Sequence, residues 1–324
     1  MEEQYDTTKI FETDNKAQKR AIQLLKKAIP LFSYFMDGSR KVYKIGDIIT
    51  PENKFMPVVA GQVSVGCCFR NKTGDIHRYS IEKKNYLMLS SAINAEDYEY
   101  IKAGYEKDMS GVLPIVVGKY KFDKANTDRP VDSAIACIQK YMQDAEIEML
   151  KKMVTSNKLD TENLLVIDGS LQFLSQKFNP DIFYNVLGVS KSFNPNATNM
   201  TKGKMHIGTL LSKLEFAERT PVLLSKTDKY SYGVWYLRIR NTYSKGDPLD
   251  GIIKIEKMAL KDDIDNEGFD TCIVDNISRA LIDERNPTCY GNDGRWANHI
   301  YPIYLTEKMI KSSFMSDIHF INLF

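Results

Sequence analysis

The chain has 324 residues, 43% hydrophobic and 27% charged, the balance of a globular protein with a sizeable core. Lys and Arg number 44 against 42 Asp and Glu, so the formal net charge is only +2, and any nucleic-acid site must be a local basic patch. Five cysteines without a CxxC argue against a disulfide framework or zinc knuckle, and four histidines argue against a His-rich metal site.

The start, MEEQYDTTKIFETDNKAQKR, is polar and acidic rather than basic then apolar, so no signal peptide is expected there. No apolar run reaches the ~20 residues of a membrane span. A cytoplasmic protein with no membrane association is the expectation. Residues 14–29, DNKAQKRAIQLLKKAI, predict a helix, with Asp14 or Asn15 as cap, Ile22, Leu24, Leu25, Ala28 and Ile29 as apolar stripe, and Pro30 as stop.

A block of strands follows. Phe32–Met36 leads to Asp37. Pro57–Phe69 is β-branched and apolar, and its Cys67 and Cys68 read as buried structural thiols. Arg78–Leu89 alternates polar and apolar residues, completing an antiparallel meander whose first strand carries Asp37. Ala92–Tyr105 predicts a helix. Residues 106–129 hold the apolar run VLPIVVG but no motif. Helix returns over Val131–Met153, so residues of about 92–155 read as a helical insertion. Leu164–Ile167 is a strand reaching Asp168, and YNVLGVSK is a strand ending at Lys191.

In the second half, Lys204–Arg219 predicts a helix and Pro221–Ser225 a short strand. Tyr232–Arg240 and Gly251–Met258 alternate as strands, and Phe269–Asp283 and the tail Tyr301–Ile318 predict helices. With no Pro/Gly/Ser linker, the chain reads as one mixed α/β domain spanning residues 1–324. LRIR places Arg238 and Arg240 on one strand face, suited to phosphate or to solvent. Tyr232, Trp235, Tyr236 and Tyr243 are candidates for base stacking as well as for the core.

Two apolar runs close on the same tripeptide, LFSYFMDGS at Leu31–Ser39 and LLVIDGSL at Leu164–Leu171. An Asp-Gly after a strand usually marks a turn. Two copies suggest more, because an acid at a strand's end with glycine beside it leaves room for a metal and a phosphate. The Ser39 or Ser170 hydroxyl would then steady the acid. Carboxylates are the credible ligands in this chain, and they suit hard cations such as Mg²⁺ or Mn²⁺. Two such ions about 4 Å apart stabilise the attacking and leaving oxygens of phosphodiester hydrolysis. A third acid comes from YMQDAEIEML. Glu146 and Glu148 point about 200° apart on a helix, so at most one faces a shared site; Glu146 is the first choice and Glu148 the alternative. Lys191 stands where it would hold a scissile phosphate.

The order of these elements resembles the NurA nucleases. The elements are DGS after a first strand, a helix bearing Glu, a strand ending in IDGSL, a strand ending in GVSK, then WYLRI and YPIYL followed by a helix. The likeness covers about Lys26 to Ile318. It implies an RNase H-like core, a mixed β-sheet flanked by helices with helical insertions, and a Mn²⁺-dependent (or Mg²⁺-dependent) DNA nuclease that forms homodimers. Its implied partner is HerA, a hexameric ATP-driven DNA translocase, in end processing or anti-phage defence. Carried over, Asp37, Glu146 and Asp168 are metal ligands, and Lys191 is a catalytic-site residue. The chain lacks GxxxxGK[ST], so an ATPase partner would have to power movement.

One departure from the family pattern stands out. The family often places a His or Asp in the helix after YP-x-x-L, where this chain offers Glu307 and Lys308, with His299 before the proline. The alternative reading is a non-catalytic RNase H-like scaffold or DNA-binding subunit of a defence complex.

Overall fold

A computed structural model describes residues 10–14, 19–25, 30–108, 113–122, 129–171, 178–195, 207–227, 230–241, 247–285 and 297–324. The chain divides into two compact units where one domain was expected. The first is Met1–Met36, Cys68–His77 and Lys151–Thr306; the second is Asp37–Cys67, Arg78–Leu150 and Glu307–Phe324. The division cuts through strands and helices, so no composition shift or linker marks it in the sequence.

In the first unit, β2 (Phe32–Ile49) begins parallel to β6 (Leu164–Asp168), which is parallel to β7 (Val186–Ser190). The sheet continues antiparallel through β11 (Ile252–Met258) to β10 (Ser231–Arg238). The far edge of β10 is shared by β8 (Glu218–Arg219) and β9 (Leu223–Lys226), and β8 pairs with β1 (Arg20–Ala21). Parallel strands buried on both faces read as near-continuous apolar runs; β6 and β7, LLVID and VLGVS, have that composition.

One face of this sheet, with Phe35, Val166, Leu187, Trp235, Ile253 and Ile255, packs on Val274, Ile277 and Leu281 of α5 (Thr271–Asp283). Helix α5 starts cleanly because the Asp270 carboxylate accepts from the Cys272 and Ile273 amides. Arg70 clasps Glu284 just past its end with two 2.5 Å bonds and donates to the Phe32 carbonyl at 3.0 Å.

In the second unit the strand order is the remainder of β2, then β3 (Phe55–Arg70), β4 (Ile76–Ser90) and β5 (Ile115–Tyr120). Connections of residues 50–54 and 71–75 allow only antiparallel returns, as the meander reading required. Strand β5 is parallel to β4 and follows α1 (Ala95–Asp108). It is built from the VLPIVVG run that carried no motif. Met56, Val59, Val63, Tyr86 and Met88 cover one face, against Ala134 and Ile138 of α2 (Pro130–Thr155). Ala60, Leu87 and Leu89 turn the other way, toward Tyr98 and Ile101 of α1 and Phe320 of α7 (Asp317–Ile321). Val59, Val63, Tyr86 and Met88 on one side and Ala60, Leu87 and Leu89 on the other follow the two-residue alternation of strands, with Met56 out of phase. Helix α4 (Lys261–Asp265) precedes α5, and between α5 and α7 the chain forms α6 (Tyr301–Ser312).

The molecule is therefore mixed α/β, with mixed sheet flanked by helices. Three expectations fail. The helix over 14–29 is absent where that stretch is described: residues 19–25 hold no helical turn, with β1 at Arg20–Ala21. There the Ile22 amide donates to the Ala217 carbonyl at 2.7 Å, Lys19 pairs with Glu218 and Arg20 with Asp275, while Leu24 and Leu25 stay exposed. Strand pairing outweighs a modest helix propensity. The predicted helix over Lys204–Arg219 survives only as α3 (Ile207–Ser212) before β8, its first three residues lying outside the described ones. The insertion of 92–155 is interrupted by β5. No helix among the described residues is long and apolar enough to cross a membrane.

Candidate active site

The first Asp-Gly-Ser does not end a strand. Strand β2 runs through it for ten more residues, to Ile49, because the second unit supplies a continuing partner in β3. The described ladder between β2 and β6 has its last pair at Met36 and Ile167. Asp37 and Asp168 each come one residue later in their own strands.

In the second unit, Asp37 and Glu146 are each 6% exposed. Helix α2 presents Ile138, Met142 and Glu146 along one stripe, four residues apart. Its contact with the strands is close. A Cβ placed on Gly38 would lie 2.1 Å from Glu146 Oε1 and 3.1 Å from Met142 Cγ. The Glu146 carboxylate thus rests on the bare backbone beside Asp37. Glu148, two residues on, is exposed.

In the first unit, Asp168 closes β6 and the chain turns at Gly169, whose φ of 110° is in the region that favours glycine. The Gly169 amide donates to the Val189 carbonyl at 2.8 Å. Lys191, one residue past β7, places its Nζ 2.8 Å from Asp168 Oδ2, with both side chains largely covered. Asn298 fixes the Lys191 backbone: its Nδ2 donates to the Lys191 carbonyl at 3.0 Å, and its Oδ1 accepts from the Gly251 amide at 2.6 Å. The structure thus joins Asp168 with Lys191, and Glu146 with the chain at Asp37 and Gly38.

Of the late candidates, His299 is buried in the first unit with its ring edge-on to Tyr304 at 6.1 Å. Glu307 pairs with Lys311 one turn along α6 in the second. Thr306, fully buried, donates to the Pro302 carbonyl at 2.9 Å and reaches the Phe35 carbonyl at 3.3 Å. Burial pushes the nearby Cys68 thiol above its usual pKa, which the Thr306 hydroxyl partly offsets; Cys67 and Cys68 are both buried, as inert structural thiols would be.

Tyr232, Trp235 and Tyr236 are buried and unavailable for stacking on bases, and Tyr243 lies outside the described residues. Arg238 is equally structural. Its guanidinium donates to the carbonyls of Asp250, Pro248 and Leu211 at 2.6–3.2 Å. Alternation led to these readings, but both faces of β10 are covered.

Sequence reasoning also missed Lys254 and Glu256. On β11 their alternation suggests a wet face, yet they are 3% and 0% exposed by side chain and pair at 2.7 Å. Glu256 Oε2 accepts from the Ser170 hydroxyl and the Leu171 amide, each at 2.8 Å.

The donor chemistry suits a hard divalent cation in that the acids are buried carboxylates. The described residues nevertheless contain no group of three or more His, Cys, Asp or Glu placed to hold a metal ion. No family model matches the chain, and no curated protein matches it.

Proposed function

We propose that this protein is a metal-dependent DNA nuclease of the NurA kind, with an RNase H-like core, working beside a HerA-type ATP-driven translocase in DNA end processing or anti-phage defence. The observation that carries the reading is the pair of buried acids in the second unit, with Glu146 laid on Gly38 next to Asp37. Burying two carboxylates side by side is costly unless positive charge or hydrogen bonds answer them, and a divalent cation would answer both at once. In this reading Asp37 and Glu146 would hold Mn²⁺ or Mg²⁺, which when bound would supply an activated water and offset charge on the phosphate; Asp168 is the third acid that the resemblance implies. The chain's own contribution is to orient the acids. Lys191, now on Asp168, is the cation available to a scissile phosphate. The mixed sheet flanked by helices supports the core assignment. The near-neutral net charge fits a protein whose partner ring supplies most of the DNA grip. A homodimer acting in the cytoplasm belongs to the same proposal.

A second reading has its own observation. Lys191 already neutralises Asp168, and no three-acid group occurs among the described residues, as a non-catalytic DNA-binding scaffold would require.

The deciding experiment incubates linear DNA with the protein and Mn²⁺, with and without a HerA-type ATPase, beside Asp37→Ala, Glu146→Ala and Asp168→Ala. Degradation lost in all three folded variants supports the nuclease. Wild-type protein that shifts DNA in a gel without cutting it, under every metal and partner condition, supports the scaffold.

A further inference from the structure

The Lys254–Glu256 pair lies inside the first unit, where two charges contribute little to stability against their desolvation. A pair of apolar side chains would fill the same space at no such cost. What the pair does locally is specific. Glu256 Oε2 takes both the Ser170 hydroxyl and the Leu171 amide at 2.8 Å, so one carboxylate oxygen gathers the two residues that follow Asp168–Gly169. Lys254 pairs with the other oxygen at 2.7 Å. The register completes the cradle. Glu256 pairs with Gly188 on β7, and Gly188 pairs with Ile167 on β6. A Cβ on Gly188 would lie 2.8 Å from both the Gly169 carbonyl oxygen and Leu171 Cγ. The turn after Asp168 therefore seats on a bare stretch of β7 and is tied down from β11.

We infer that Glu256 is a positioning residue: held by Lys254, it fixes the Asp168–Leu171 turn through Ser170 and the Leu171 amide, and so sets the direction in which Asp168 meets Lys191. The consequence for activity rests on the nuclease reading; the fixing of the turn does not. Ser170 thereby acquires a role at one remove from the acid, supporting it through Glu256. Supporting partners of this kind typically change metal affinity or activity by about 10–100-fold when removed.

Two double variants separate positioning from bulk stability. Lys254→Met with Glu256→Leu removes the acceptor without leaving a buried charge. Lys254→Met with Glu256→Gln is equally uncharged but keeps an acceptor oxygen. The first readout is amide exchange at Gly169, whose bond goes to Val189 and not to Glu256, compared with the β10–β11 ladder. The expected result is exchange at Gly169 and Leu171 at least about tenfold faster in the Leu variant, with the ladder unchanged, and protection restored in the Gln variant.

The second readout is DNA cleavage, with kcat expected to fall about 10–100-fold in the Leu variant, KM unchanged, and recovery in the Gln variant. Wild-type protection at Gly169 in a folded Leu variant would overturn the proposal, as would full turnover despite a loosened turn. If the wild-type protein cuts nothing, the nuclease reading falls by itself and the exchange result alone decides whether Glu256 fixes the turn.

Discussion

The chain writes Asp-Gly-Ser twice, and the two copies solve different physical problems. At 37–39 the strand continues, and the glycine is there for space: Glu146 occupies the position its Cβ would take. At 168–170 the strand stops, and the glycine is there for conformation. Its φ is 110° and nothing lies within 4 Å of an added Cβ. The serines differ likewise. Ser170 is bonded to a fully buried carboxylate at 2.8 Å, while Ser39 sits half-buried in a running strand. A repeated motif is thus evidence about residue type and not about geometry, and each copy must be read against its own neighbours.

The largest expected effect comes from Gly38→Ala. The methyl group has no room unless Glu146 moves, so overpacking should cost about 1–3 kcal/mol in urea unfolding. On the nuclease reading, activity should fall as far as in Glu146→Ala. The distinguishing result is rescue: Gly38→Ala combined with Glu146→Ala should recover most of the lost stability and none of the activity. A double variant no more stable than the single one would show that this glycine, too, serves conformation, and the contrast between the copies would collapse.

Gly169→Ala should also destabilise, by about 1–3 kcal/mol, through backbone strain at positive φ. No side-chain truncation should relieve it, because no side chain is in the way. A D-alanine introduced by semisynthesis sharpens the contrast, since its mirror-image preference accepts positive φ. It should restore stability at 169 and fail at 38, as thermal unfolding of the two semisynthetic proteins would show.

Much of this was legible in advance, and the failures have physical causes. The strands carrying Asp37, Asp168 and Lys191, the helix carrying Glu146, and the late helices are written in apolar periodicity, and the structure follows them. The face of α2 was harder. Ile138, Met142 and Glu146 form the packed stripe, but helical rhythm fixes only which residues share a face, and the acid choice needed the glycine opposite. The continuation of β2 past Asp37 depends on β3, a partner that no local pattern encodes. The 14–29 stretch has helical spacing, yet Arg20 and Lys19 find carboxylates on other elements. Lys254 and Glu256 mimic a solvent-facing alternation because sequence shows charge but not the cover above it.

The smallest expected effect concerns the two serines, and it tests the comparison most cleanly because neither change adds bulk. Ser170→Ala removes one bond to Glu256 while the Leu171 amide keeps the other. The net loss of a hydrogen bond to a charged, buried acceptor is about 1.5–3 kcal/mol at most, reduced here because Lys254 still sits 2.7 Å from the other carboxylate oxygen. A shift of about 1 kcal/mol in the urea midpoint analysis is expected. Ser39→Ala, at a half-buried strand position, should stay within about 0.5 kcal/mol of the parent. Equal effects at the two positions would mean that the hydroxyls share one local task, such as capping a turn, and that Glu256 adds nothing to the second. Unequal effects in the expected direction place the difference in the long-range partner, eighty-six residues away on β11.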